Sequence, residues 1–209
     1  MTLAVHPTKI VCIGRNYAAH ARELGNEVPA EPLIFLKPPS ALLPPGAAIV
    51  CPPQSQRVEH EGEIGVVIGA RAKDVPEADA LAHVAGYTCL NDVTARDLQR
   101  SDGQWSRAKG FDTFCPIGPV VATGLDWRTL EVICRVNGTV RQHGHARDMM
   151  FGIPRLVSYV SSIMTLEPGD VIATGTPEGV GPLVPGDMVE VEIPGIGLLA
   201  NPVTGKGAA

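Results

Sequence analysis

The dominant pattern along the chain is a series of short, mostly apolar runs. Apolar runs, most of them rich in β-branched residues, occupy 9–14, 33–36, 64–68, 84–90, 132–136, 171–174 and 189–193, and turn-forming residues separate them, which predicts strands. Helical spacing is rarer. It predicts a short helix over 16–24 with Asn16 as N-cap, a second over 76–83 with Pro76 near its first turn, and a third over 153–164. From 167 to 202 the pattern returns to strand and turn, with Pro-Gly-Asp reversals at 168–170 and 185–187. The 23 Gly and 19 Pro are spread throughout, which disfavours a helical bundle, and regular strand–helix alternation is absent, which disfavours a Rossmann or α/β-barrel fold. The expected fold class is α+β, mostly β, with mixed or antiparallel sheet.

A length of 209 residues fits one domain over 1–209 with a sizeable core. Aromatics are only 4%, so that core falls to Val, Ile, Leu and Ala. The formal charge of −5 comes without a Lys/Arg cluster to displace phosphate counterions, which argues against nucleic-acid binding. No apolar run approaches the roughly 18 residues of a membrane span, and the opening MTLAVHPTKI has no apolar stretch behind basic residues. A cytoplasmic location without membrane partners is the expectation. The five cysteines are odd in number and widely spaced, with no C-x-x-C, which predicts buried thiols in place of disulfides or a zinc site.

The segment Val58-Glu59-His60-Glu61-Gly62-Glu63 runs directly into the apolar 64–68. Residues two apart on a strand share a face, so Glu59, Glu61 and Glu63 are expected to point one way and His60 the other. Neighbouring carboxylates repel unless a proton or cation sits between them. Oxygen ligands without Cys or a close His pair select Mg2+ or Mn2+ over Zn2+. Asp92, just past the strand at 84–90, is the candidate third ligand. Spacing alone fits the solvated face of an edge strand equally well.

Two further groups carry candidate chemistry. His20 and Glu23 lie three apart on the predicted helix, a spacing that sets an imidazole beside a carboxylate and suits activation of a water, though a surface helix carries such pairs too. Lys109, in a segment flanked by Trp105, Phe111 and Phe114, is placed to stabilise an enolate or carboxylate, with an ordinary surface lysine as the plainer reading. The Gly-rich loop at 174–181 offers N–H groups and hydroxyls to an anion but is no Walker A loop. The His-rich segment Gln142-His143-Gly144-His145-Ala146-Arg147 fits none of this chemistry.

In order along the chain, Ile10-Val11-Cys12-Ile13-Gly14-Arg15-Asn16-Tyr17, Phe35-Leu36-Lys37-Pro38, His60-Glu61-Gly62-Glu63, Asn91-Asp92-Val93-Thr94-Ala95-Arg96-Asp97-Leu98-Gln99, Ala108-Lys109-Gly110-Phe111-Asp112 and Gly175-Thr176-Pro177 together resemble the fumarylacetoacetate hydrolase family. The resemblance implies a mixed β-roll of several sheet layers with few short helices, here in a minimal single-domain form with its core at about 8–204, and a homodimer. It implies Glu61, Glu63 and Asp92 as carboxylates holding Mg2+ or Mn2+. His20 and Glu23 match a water-activating pair, Lys109 a lysine beside the substrate oxyanion, and Arg96, Gln99 and Thr176 substrate contacts. Lys37 lies in a family motif without an assigned role. The implied activity is C–C bond hydrolysis of acylpyruvate-type 2-oxo acids. Because 100–105 looks like the bacterial relatives, isomerisation or decarboxylation of 2-hydroxyhepta-2,4-diene-1,7-dioate, or oxaloacetate decarboxylation, is the alternative. A catalytically silent metal- or carboxylate-binding protein on the same fold is the rival from another class.

Overall fold

The computed structural model describes residues 6–25 and 27–205. In chain order the strands are β1 (Ile10–Gly14), β2 (Leu33–Lys37), β3 (Leu42–Leu43), β4 (Ile49–Cys51), β5 (Val58–His60), β6 (Gly62–Ile68), β7 (Val84–Asn91), β8 (Thr94–Ala95), β9 (Cys115–Ala122), β10 (Glu131–Val136), β11 (Thr139–His145), β12 (Val171–Ala173), β13 (Gly181–Leu183), β14 (Met188–Ile193) and β15 (Gly197–Gly205). Four short helices accompany them: α1 (Ala18–Glu23), α2 (Arg96–Ser101), α3 (Ser106–Lys109) and α4 (Ile153–Ile163). The strands form a seven-stranded sheet in the order β2-β1-β12-β6-β7-β9-β3, a five-stranded sheet β11-β10-β14-β15-β4, and a three-stranded sheet β13-β5-β8.

The period of two decides how the large sheet is buried. In β1, Val11 and Ile13 pack into the larger apolar core while Ile10 and Cys12 pack into a smaller one on the other face; in β6, Ile64, Val66 and Ile68 enter the larger core and Val67 the smaller. Every residue of β6 is therefore buried, as expected of a strand covered on both faces. Gly62, at the head of β6, is where the five-stranded sheet comes closest. A Cβ there would lie 2.9 Å from Cys134 Cβ on β10, so only glycine allows the two sheets to meet at this point.

All seven strands and the helix over 153–164 appear where the pattern predicts, with ends shifted by one or two residues at most. The short helix expected over 76–83 is a 3-10 helix, Glu77–His83. One local expectation is corrected. Asn16 does not cap α1: Tyr17 stands at the N-cap position without a side-chain cap bond. The buried Asn16 amide instead donates to Thr174 O (2.8 Å) and Phe151 O (3.0 Å), and its Oδ1 accepts from Phe151 N–H (2.9 Å), tying the start of α1 to two distant loops. The five cysteines are free thiols, four of them buried. No helix among the described residues is long and apolar enough to cross a membrane.

Candidate active site

The connection from β5 to β6 places Glu61 and Glu63 on the face of the large sheet that carries the smaller core, and the register of β6 with β7 sets Glu63 opposite Leu90. Asp92, two residues beyond Leu90, follows on that same face. Its backbone N–H donates to Glu61 O (2.8 Å), and Glu61 N–H donates to Asn91 Oδ1 (2.9 Å), so the two ligand-bearing turns are pinned to each other. One carboxylate oxygen from each of Glu61, Glu63 and Asp92 lies within 4.8 Å of the others, and all three side chains are buried. The solvated edge-strand reading is thereby excluded. Glu59 does not join them. It belongs to β5 of a different sheet and accepts from Arg57 Nε (2.5 Å) and Arg96 Nε (2.7 Å). His60 faces away, as expected, and its Nδ1 meets Gln142 Oε1 at 3.0 Å.

Cations surround two of the three carboxylates. Lys109, at the end of α3 and only 1% exposed, donates to Glu61 Oε2 (2.7 Å) and Asp92 Oδ2 (2.6 Å), so it is not a surface lysine. Lys37, on β2 and equally buried, donates to Asp92 Oδ1 (2.6 Å) and Val93 O (3.1 Å). Arg96 of α2 also donates to Glu61 and to Gln99 Oε1. Burial alone raises the Glu61 carboxyl, but the charges of Lys109 and Arg96 outweigh it and hold the group well below the usual carboxylate range. Burial likewise opposes the Lys109 charge, and here Asp92 and Glu61 prevail, raising the ammonium above its ordinary value.

Glu63 differs from its neighbours. Its Oε2 accepts one backbone N–H, from Gly175 (2.8 Å), and no Lys or Arg among the described residues pairs with it. Burial, then the charges of Asp92 and Glu61, push its carboxyl well above the ordinary range. A buried oxygen-only set in which one carboxylate lacks a counter-charge fits a hard divalent cation.

Glu61, Glu63, Asp92, Arg96 and Lys109 line a cavity of about 260 Å³, together with His20, Gln99, Arg100, Thr176 and an aromatic wall of Phe35 and Trp105. The two rings meet edge-on at 5.2 Å, Lys109 Nζ lies 4.9 Å from the Phe35 centroid, and Arg15 lies 6.0 Å from that of Trp105. His20 is buried, with its Nδ1 3.2 Å from Glu23 Oε2. Glu23 in turn accepts from Gly179 N–H (3.0 Å), which fastens α1 to the Gly-rich loop. The loop's N–H groups at 175 and 179 thus serve the protein's own carboxylates. Thr176 Oγ1 donates to Gly62 O (2.9 Å) and accepts from Gln142 Nε2 (2.7 Å).

The sequence matches the family described as fumarylacetoacetate (FAA) hydrolase C-terminal over residues 9–204. The chain belongs to the fumarylacetoacetate hydrolase family. Among its relatives is a mitochondrial oxaloacetate tautomerase of Arabidopsis thaliana, 51% identical over 195 residues that cover 90% of this chain and 87% of the relative. Two solved structures share the family fold. One is 5-carboxymethyl-2-hydroxymuconate delta-isomerase from Mycobacterium smegmatis, with a TM-score of 0.91 and 52% identity over 97% of this chain and 81% of that one. The other is fumarylpyruvate hydrolase from Pseudomonas aeruginosa in complex with Mn2+ and pyruvate, with a TM-score of 0.89 and 36% identity over 95% and 90%. The family β-roll expected from the motifs is therefore the fold of this chain. Sequence reasoning left Lys37 without a role and missed Asn91 and Gln142. Only the position of Lys37 inside a motif pointed to it.

Proposed function

We propose that this chain is a Mg2+- or Mn2+-dependent enzyme acting on small 2-oxo carboxylates, and that its reaction is C–C bond hydrolysis of acylpyruvate-type substrates. The observation that carries this reading is the convergence of Glu61, Glu63 and Asp92 with Lys109 in the same cavity as His20, whose Nδ1 faces Glu23. The relative holding Mn2+ and pyruvate supports it. When bound, the divalent ion supplies Lewis-acid polarisation of the 2-oxo acid.

This chain's own groups do the rest. Phe35 and Trp105 give the substrate carbon chain an apolar wall, while Arg15 and Arg100 favour an anionic substrate at the cavity lining. Glu23 orients His20, which takes a proton from water as its oxygen adds to the distal carbonyl. The C–C bond then breaks with its electron pair passing to the pyruvate fragment, and Lys109 stabilises the resulting enolate charge before C3 is protonated. The products are pyruvate and a carboxylic acid.

A second reading, proton transfer within a 2-oxo acid, is favoured by one observation. The tautomerase and the isomerase are 51% and 52% identical to this chain, against 36% for the hydrolase. In that reaction His20 moves a proton to or from carbon and no water is consumed.

Acylpyruvates, oxaloacetate and dienedioates assayed with and without Mg2+ separate these readings. Metal-dependent pyruvate release from an acylpyruvate is expected, and Glu61→Ala is expected to abolish it. Full activity in Glu61→Ala would refute the metal assignment, and metal-dependent enolisation without cleavage would select the second reading.

A further inference from the structure

Outside the catalytic cavity a second set of metal-ligating side chains converges. His143 and His145 stand two residues apart on β11, so both imidazoles rise from one face of that strand, while Gln142 and Gly144 are buried on the other. The antiparallel register with β10 sets Glu131 directly opposite His145. Glu131 Oε2 lies 2.8 Å from His143 Nε2 and 3.6 Å from His145 Nδ1. The two rings are 5.2 Å apart, and the three donor atoms all lie within 4.8 Å of one another. A tetrahedral ion with bonds of about 2.0–2.1 Å needs neighbouring donors about 3.3 Å apart. The donor triangle brackets that length.

An ion pair explains less of this geometry. A half-exposed salt bridge contributes little to stability, and one imidazole already satisfies it. The second imidazole converges on the same carboxylate oxygen. Two imidazoles and a carboxylate aimed at one point are instead a ligand set.

We propose that Glu131, His143 and His145 form a second metal site, selective for a borderline transition ion such as Zn2+, and chemically distinct from the all-oxygen set that favours Mg2+ or Mn2+. Its ligands stand on paired strands, which fixes their spacing. Their partial exposure leaves a fourth position open to water or to a donor from another molecule. The assignment does not depend on the reaction proposed for the cavity.

Zn2+ titrated calorimetrically into the full chain tests it, comparing wild type with the His143→Ala/His145→Ala double variant and with Glu61→Ala. Wild type is expected to take up one equivalent that the double variant lacks, and Glu61→Ala to retain that equivalent. Identical zinc isotherms for wild type and the double variant would overturn the site. A readout that needs no variant is the NMR spectrum of wild type with Co2+: the ring protons of His143 and His145 are expected to shift strongly, and unshifted rings at saturating Co2+ would overturn the proposal.

Discussion

Four acidic side chains share one buried region, and Glu63 alone among them has no cationic partner among the described residues. Burial and the charges of Asp92 and Glu61 hold its carboxyl well above the ordinary range, so the folded, metal-free chain keeps a proton that the unfolded chain releases. The folded state then binds more protons than the unfolded one from the ordinary glutamate value of about 4.3 up to the raised value of Glu63, and stability falls as pH rises through that window. Chelator-treated protein should therefore show a Tm that declines across it. Saturating Mg2+ or Mn2+ should raise the Tm and remove this slope, because the cation replaces the proton, and Glu63→Gln should remove the slope without metal. Tm profiles that coincide with and without metal would contradict this. At His20 the expected effect is a split: alanine should slow hydrolysis of an acylpyruvate more than decarboxylation of oxaloacetate, measured as kcat for each, and an equal loss would remove its role in activating water. These carboxylates were legible because strand periodicity puts Glu61 and Glu63 on one face. Lys37 and Gln142 were not, because their partners Asp92 and Thr176 lie 55 and 34 residues away, and no local pattern encodes such pairings.

At the scale of elements, the loop after β12 joins the cavity to α1. Gly175 sits at φ +98°, and a Cβ on it would lie 2.7 Å from Asn16 Cβ and 3.2 Å from Ile13 O. Its N–H is also the one that Glu63 accepts. Gly175→Ala should cost about 1–3 kcal/mol of stability and weaken Mn2+ binding. Gly186→Ala is the control: its φ of +102° is similarly strained, but nothing lies within 4 Å of the added Cβ. It should lower stability by urea unfolding and leave the Mn2+ affinity unchanged, and equal loss of affinity in both variants would argue against the role given to the loop. Most of the strands foreseen are rich in β-branched residues. β11 escaped notice because Thr139–His145 is a polar edge strand with alternate residues facing solvent. β9 and β15 carry Pro116, Pro119 and Pro202, residues that demote a segment read by propensity alone. Asn16 suits an N-cap by residue type, and only the folded chain shows that two distant loops claim its amide first.

At the scale of the molecule, the stretch from Val58 to Glu63 is where the three sheets meet. β5 belongs to the three-stranded sheet, β6 to the seven-stranded sheet, and Gly62 abuts Cys134 and Val191 of the five-stranded sheet. The fold class was legible from punctuation and periodicity, whereas this junction was not, since it is set by sheet packing that the order of strands along the chain does not reveal. A cation held there would bridge turns whose strands reach across the large sheet, so metal affinity reports directly on the integrity of this junction. Chelator-treated protein titrated with Mn2+ at neutral pH, followed by the disappearance of the free-ion electron paramagnetic resonance signal, measures it. One tightly held Mn2+ per chain is expected, displaced by excess Mg2+ and lost in Glu61→Ala and in Asp92→Ala. A free-ion signal undiminished by wild type, or Glu61→Ala binding Mn2+ as tightly as wild type, would contradict it.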